Sequence, residues 1–325
     1  MHQQTVTPYF PLEKSDKMQK IKKVTVAGAG LMGASIAQCF PPYGYETVIY
    51  SNQMQDFERA RQIIANCQNT LIENNVLSTQ ESLRIQNSIS YQTDPNCFRG
   101  ADLVIEAIPE VYDIKADFFQ MISDLLPPDS IVATNTSAIS IQDLAKNITN
   151  PERFCGTHWL NPPHIIPLVE IIPGAATSPE VVHMLVELLT GMGKEPVVLK
   201  KDIRGFLSNR LQFALLREAS YLVESGVATP EDIDRTLKFG NGIRYSCSGP
   251  FKIIDFGGAA VFNSVAKYLY PELSNQTEGC GLLEHMVRNG NNGISTGKGF
   301  YDYTPQSAVQ EERERDRKML MLRNQ

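Results

Sequence analysis

Residues 24–40 read VTVAGAGLMGASIAQCF. An apolar run leads into Gly28-x-Gly30-x-x-Gly33, and an apolar helical pattern follows. A second apolar run, TVIY at 47–50, comes at the distance a βαβ unit requires. Each glycine has a physical task. Gly28 permits the tight strand-to-helix turn, Gly30 lets a pyrophosphate approach the backbone, and Gly33 lets the helix lie close on the strand. The helix N-terminus beyond them offers unpaired N–H groups and the positive end of a dipole to an anion. The pattern therefore predicts a dinucleotide-binding half-domain, with Gly28, Gly30, Leu31, Met32 and Gly33 as candidate cofactor contacts.

The rest of the chain agrees with that start. Its 325 residues suffice for two domains. Hydrophobic residues make up 42% and charged ones 20%, and the net charge is −6. That mild acidity lacks the basic footprint of a nucleic-acid-binding protein. No apolar run approaches the ~18 residues of a membrane span. Residues 1–20 lack the apolar core of a signal peptide, so a tail and a cytoplasmic location are expected. Six cysteines lie scattered without metal-ligand spacing, which fits small buried residues in a reducing compartment and predicts no metal site.

Short apolar runs alternate with helical patterns through the first 200 residues. Strands are expected at 21–27, 47–50, 103–108, 130–134, 154–158, 168–172 and 196–199. Helices are expected at 31–40, 56–75 and 116–126. This alternation predicts an α/β fold, a Rossmann-type doubly wound and mostly parallel sheet. After residue 202 only helical patterns remain, at 207–224, 230–239, 259–268 and 310–323. The expected organisation is a tail at 1–20, a dinucleotide-binding domain at 21–203 and a smaller all-α domain at 204–325.

Ligands of such sheets bind beyond the carboxyl ends of the strands. Polar residues gather at those positions: NTS at 135–137, His158 at the end of one strand, Glu170 in the next, and Asn209 at the start of the helical domain. A histidine and a glutamate twelve positions apart across a proline-containing turn can pair, which orients the imidazole and stabilises its protonated form. Such a histidine can take a hydroxyl proton as hydride leaves the adjacent carbon. Ser137 and Asn209 can donate hydrogen bonds to the oxygen as it gains carbonyl character.

With these residues in view, the chain resembles the 3-hydroxyacyl-CoA dehydrogenase family over about residues 20–305. The resemblance rests on GAGLMG (28–33), ADLVIEAIPE (101–110), NTS (135–137), GTHWLNP (156–162) and PLVE (167–170). It continues through GFLSNR (205–210), GPF (249–251) and TGKGFY (296–301). It implies NAD-dependent oxidation of the 3-hydroxyl of a short-chain L-3-hydroxyacyl-CoA to the 3-oxo compound, and a homodimer formed through the helical domain. The family's catalytic positions fall on Ser137, His158, Glu170 and Asn209. Its cofactor contacts fall on Glu110 and Lys115, with Ser51, Asn52, Ala107 and Asn135 as further candidates. Trp159, Asn161 and Arg244 join Ser137 as candidate substrate contacts.

Two stretches depart from the family pattern. The second strand ends YSNQ (50–53), with no acid until Asp56, where NAD enzymes of this build place one against the ribose. NAD is the expected cofactor and NADP stays open. Residues 56–84 contain no Lys, only Arg59, Arg61 and Arg84, whereas the CoA-using branch tends to carry Lys and Ser there. NGIRYSCSGP (241–250) and NPPHIIPLVE (161–170) instead resemble the branch acting on small free acids, such as L-gulonate and L-carnitine dehydrogenases. An Arg can clamp a free carboxylate bidentately, and Arg244 is the candidate. A small free 3-hydroxy acid is therefore the alternative substrate. A non-catalytic nucleotide-binding protein is the alternative from a different class.

Overall fold

In a computed structural model, which describes residues 21–323, the first region is built on one eight-stranded sheet. Its strands are β1 (Lys23–Ala27), β2 (Glu46–Tyr50), β3 (Ile89–Gln92), β4 (Leu103–Glu106), β5 (Ile131–Thr134), β6 (Phe154–Trp159), β7 (Leu168–Pro173) and β8 (Glu195–Val198), in the order β3-β2-β1-β4-β5-β6-β7-β8. All neighbouring pairs are parallel except β6 and β7. The order turns outward from β1 in both directions, which leaves a crevice beyond the ends of β1 and β4. β4 and β5 are buried along their whole length, as strands covered on both faces must be.

Helices α1 (Leu31–Ala37), α2 (Asp56–Glu73), α3 (Thr79–Asn87), α4 (Tyr112–Ser123), α5 (Ile141–Leu144) and α6 (Pro179–Gly191) belong to this unit. β3 and α3 are absent from the sequence-based expectation. β3 is a short, half-polar strand next to β2. α3 is closed by a capping box in which Ser78 and Glu81 satisfy each other's backbone N–H groups.

The described residues form two compact units: those up to Leu207 together with those from Asp316 onward, and Ser208–Arg315. The named elements of the second unit are all helices, and isolated β-bridges join Lys298 to Gly293 and to Asp302. The unit contains α7 (Ser208–Glu224), α8 (Pro230–Thr236), α9 (Gly242–Cys247), α10 (Pro250–Gly257), α11 (Ala259–Leu269) and α12 (Gly281–Arg288), and α13 (Pro305–Arg323) begins in it. The sequence places all of 204–325 in one helical domain, but the end of α13 packs on the first unit. Leu320 is 2% exposed in a cluster with Leu71, Leu77, Ile85 and Ile165. Arg323 donates to the carbonyls of His164 and Ile165. The expected tail at 1–20 lies outside the described residues.

β6 and β7 shape the site. Only eight residues, 160–167, connect them, too few for a crossover, so β7 returns antiparallel. Beneath this hairpin Gly156 is closely overlaid: a Cβ there would stand 2.7 Å from Ile141 Cδ1 and 3.0 Å from Ile172 Cβ. Gly156→Val is expected to cost about 1–3 kcal/mol by overpacking. That corresponds to a fall in Tm of roughly 3–10 °C by differential scanning calorimetry, and an unchanged Tm would show that the hairpin can shift to make room.

Candidate active site

The glycine turn opens a cleft of about 860 Å³. Gly28 adopts φ +115° at the end of β1, donates its N–H to the Tyr50 carbonyl at 2.8 Å, and has no room for a Cβ against the Ala107 carbonyl. Gly33 is equally constrained, because a Cβ there would overlap the Gly28 carbonyl. Gly30 differs: a Cβ on it would meet nothing within 4 Å and would project into the space a ligand needs. It also caps α1 without a side-chain bond, leaving the first-turn N–H groups open. Gly28, Gly30, Leu31, Met32, Ser51, Asn52 and Ala107 all line the cleft, together with Asp56 and Arg59. The chemistry of this lining fits a dinucleotide, with open N–H groups for the phosphates and hydroxyl, amide and carboxylate groups beside them.

Lys115 stands neither on the wall of this cleft nor in solvent. It is 1% exposed, and its ammonium lies between two carboxylates, in contact with Glu106 and 3.2 Å from Glu110. Glu106 is fully buried and also accepts the Thr134 hydroxyl at 2.5 Å and the Ile108 N–H at 2.8 Å. Glu110 accepts the Thr136 hydroxyl at 2.5 Å and the N–H groups of Ser137 and Ala138. Burial pushes the Glu110 carboxyl up, but the Thr136 hydroxyl, the Lys115 ammonium and the Ser137 N–H together bring it below its ordinary value. Glu110 thus ties the turn after β4 to the loop that carries Ser137, and Lys115 holds Glu110 against Glu106. Glu106, Thr134 and Thr136 escaped the reading of the sequence. The available signal was an acid inside the otherwise apolar strand LVIE.

Across the sheet, the β6–β7 register sets His158 opposite Glu170. Directly opposed residues project from the same face. The His158 Nδ1 to Glu170 Oε2 distance is 2.7 Å, and the two residues are 4% and 1% exposed. A buried carboxylate at Nδ1 fixes the proton there, so neutral His158 presents Nε2 as its basic atom. Nε2 makes no hydrogen bond among the described residues. The second carboxylate oxygen of Glu170 accepts the Leu207 N–H at 2.8 Å, which fixes the carboxylate plane. Phe206, fully buried at φ +51°, sets its ring 5.3 Å from the imidazole. This apolar wall was not anticipated from sequence.

Asn135 ties β5 to this hairpin, its side-chain oxygen accepting the Trp159 N–H at 2.8 Å. Ser137 is partly exposed in the same loop. Trp159 does not meet the expectation of a substrate contact. Successive strand residues face opposite ways, so Trp159 turns away from His158, is 2% exposed, and packs on Phe40 with Lys194 over its ring. Asn161 is exposed where the β6–β7 connection begins. Asn209 and Arg244 belong to the helical unit, in the first turn of α7 and exposed on α9. Among the described residues no group of His, Cys, Asp and Glu could hold a metal, and no helix is long and apolar enough to cross a membrane.

Comparison with known proteins agrees with this geometry. Residues 23–203 match the family model for the NAD binding domain of 3-hydroxyacyl-CoA dehydrogenase, and residues 205–303 match the model for its C-terminal domain. The chain is 36% identical over 304 residues to 5-formyl-3-hydroxy-2-methylpyridine 4-carboxylate 5-dehydrogenase of Mesorhizobium japonicum, covering 93% of this chain and 97% of that protein. It is 35% identical over 282 residues to a probable 3-hydroxybutyryl-CoA dehydrogenase of Deinococcus radiodurans, covering 86% and 100%. A solved structure of a 5-formyl-3-hydroxy-2-methylpyridine 4-carboxylic acid 5-dehydrogenase, described as an NAD+ dependent dismutase, superposes with a TM-score of 0.86 at 36% identity over 93% of this chain and 97% of that one. The (S)-3-hydroxybutyryl-CoA dehydrogenase of Ralstonia eutropha gives 0.71 at 31% identity, covering 87% and 99%. A glycine turn shaped for a dinucleotide, a buried His–Glu pair and two matching domain models lead to one conclusion: the chain belongs to the 3-hydroxyacyl-CoA dehydrogenase family and is an NAD-dependent oxidoreductase of that type.

Proposed function

We propose that this enzyme catalyses reversible hydride transfer between NAD and a hydroxyl-bearing carbon of a small molecule that carries a free carboxylate. The His158–Glu170 pair carries the chemical part of this reading: a buried base, its tautomer fixed, with Nε2 unengaged. NAD, when bound, supplies the hydride acceptor. His158 Nε2 takes the hydroxyl proton, and Glu170 balances the imidazolium that results. Ser137 and Asn209 donate hydrogen bonds to the substrate oxygen. Glu110 and Lys115 act by holding the Ser137 loop against the cleft wall.

Two observations favour a free acid. α2 and α3 contain no Lys to meet the phosphates of a CoA. The likeness is also greater to the pyridine carboxylate dehydrogenase, at a TM-score of 0.86, than to the 3-hydroxybutyryl-CoA enzyme, at 0.71. Arg244 is the proposed carboxylate clamp, through its planar fork of donors. The second reading is a short-chain L-3-hydroxyacyl-CoA, and it is supported by the identity to probable 3-hydroxybutyryl-CoA dehydrogenases at 35% and 34%. A homodimer through the helical unit is part of the proposal. That unit exposes Leu211, Phe213, Phe251, Phe256 and Tyr270, each at 60% or more, an apolar burden typical of an uncovered interface.

His158→Gln is expected to lower kcat by about 10²- to 10⁴-fold while the Kd for NADH, read by nicotinamide fluorescence, stays near wild type. Turnover close to wild type would remove His158 from the mechanism. NADH oxidation with acetoacetate, 5-formyl-3-hydroxy-2-methylpyridine 4-carboxylate and acetoacetyl-CoA separates the substrate readings. Turnover on a free acid, with KM raised roughly tenfold or more in Arg244→Gln, supports the clamp; turnover confined to the thioester supports the second reading. Sedimentation equilibrium at micromolar concentration is expected to give twice the chain mass, and a monomer would refute the interface.

A further inference from the structure

The position just after β2, where enzymes of this build present an acid to the ribose, holds Ser51. Ser51 is 7% exposed and its hydroxyl makes two hydrogen bonds. It donates to Asp56 Oδ2 at 2.6 Å and accepts the Gln53 N–H at 3.2 Å. The bond to Asp56 draws the first residue of α2 back to the strand end, which is itself pinned to the glycine turn through the Tyr50 carbonyl. Asp56 Oδ1 makes no hydrogen bond among the described residues. Ser51, Asp56 and the glycine turn line one cleft. A carboxylate therefore stands beside the strand end, supplied by the next helix and oriented by a serine that occupies the usual place.

Arg59 lines the same cleft three residues further along α2, on the same helix face. It forms no ion pair among the described residues, whereas its neighbours Glu58 and Arg61 approach each other to 3.9 Å. Two opposite charges thus stand at one mouth without neutralising each other. We propose that Asp56, oriented by Ser51, is the residue by which this enzyme selects NAD over NADP, and that Arg59 is a latent 2′-phosphate contact that Asp56 keeps out of use. Asp56 Oδ1 accepts a ribose hydroxyl. The same oxygen repels a 2′-phosphate, which carries close to two negative charges. With that repulsion removed, the guanidinium of Arg59 is the cation at hand for a phosphate.

A purely structural role for Asp56 is distinguishable. An acid in the first turn of α2 also stabilises the helix N-terminus, but such a role changes the affinities for NADH and NADPH alike. The test is fluorescence titration of both nucleotides into wild type, Asp56→Asn, Ser51→Ala and the double variant Asp56→Asn/Arg59→Gln. Wild type is expected to prefer NADH by about a hundredfold or more, and Asp56→Asn to cut that preference by roughly tenfold or more, mainly by tightening NADPH. Ser51→Ala moves the ratio the same way by less, because it frees the carboxylate without removing it. Adding Arg59→Gln returns NADPH to weak binding. A ratio in Asp56→Asn within about twofold of wild type would make Asp56 a helix-end residue and overturn the proposal. A gain in NADPH affinity that survives Arg59→Gln would overturn the part assigned to Arg59. The titration contains no substrate, so a wrong assignment of the oxidised compound leaves its outcome unchanged.

Discussion

The antiparallel return of β7 on β6 is the constraint from which the proposed chemistry follows. A parallel neighbour would need a crossover of a dozen or more residues and would set the two strand ends by helix packing. A direct return sets them by backbone hydrogen bonds. In the observed register His158 and Glu170 are cross-strand partners, so a 2.7 Å contact between buried groups is held by the sheet itself. A slip of one residue would turn every side chain of one strand to the opposite face, leaving the imidazole without its carboxylate. The proline-rich connection NPPHIIP (161–167) is held at several points. Lys194 binds the carbonyls of Pro163 and Ile166, and Arg323 binds those of His164 and Ile165.

The two halves of the site use charge differently. The His158–Glu170 pair has its base buried beside an aromatic ring, where a proton gained is stabilised by one nearby carboxylate. The Glu106–Lys115–Glu110 group is a strut, its charges spent on one another and on backbone N–H groups. Breaking a buried pair from one side costs about 3–5 kcal/mol, so the loop of Ser137 inherits the rigidity of that interior.

Much of this was legible in the residues. The glycine spacing and its two flanking apolar runs specify the βαβ start, because only glycine meets the steric demands at Gly28 and Gly33. The His158–Glu170 pair was readable because a short connection between two apolar runs implies a hairpin, and a hairpin brings residues symmetric about its centre together. β3 was not readable: four half-polar residues carry too little periodicity, and their pairing with β2 is long-range. The role of Lys115 was hidden for a similar reason, since a lysine nine positions after a strand acid looks like any helix residue until the helix packs. Trp159 misled by adjacency, because a neighbour in a strand sequence faces the other side of the sheet. The mixed charges of 310–323 fit a solvated or an interface helix equally, and it is Leu320 and Met319 that mark the face that packs.

The strut around Lys115 bears on how such a chain can drift in sequence. Three separate segments, β4 with the turn after it, the first turn of α4 and the loop after β5, satisfy their polar groups on one another through the Lys115 ammonium and the Glu110 carboxylate. Exchanging the first turn of α4 alone would leave the fully buried Glu106 without its cation, and exchanging the turn after β4 would leave the N–H groups of Ser137 and Ala138 without their acceptor. The three segments form one heritable module, discontinuous in sequence and contiguous in space. A substitution tolerated in that module is accordingly one that arrives with its partners.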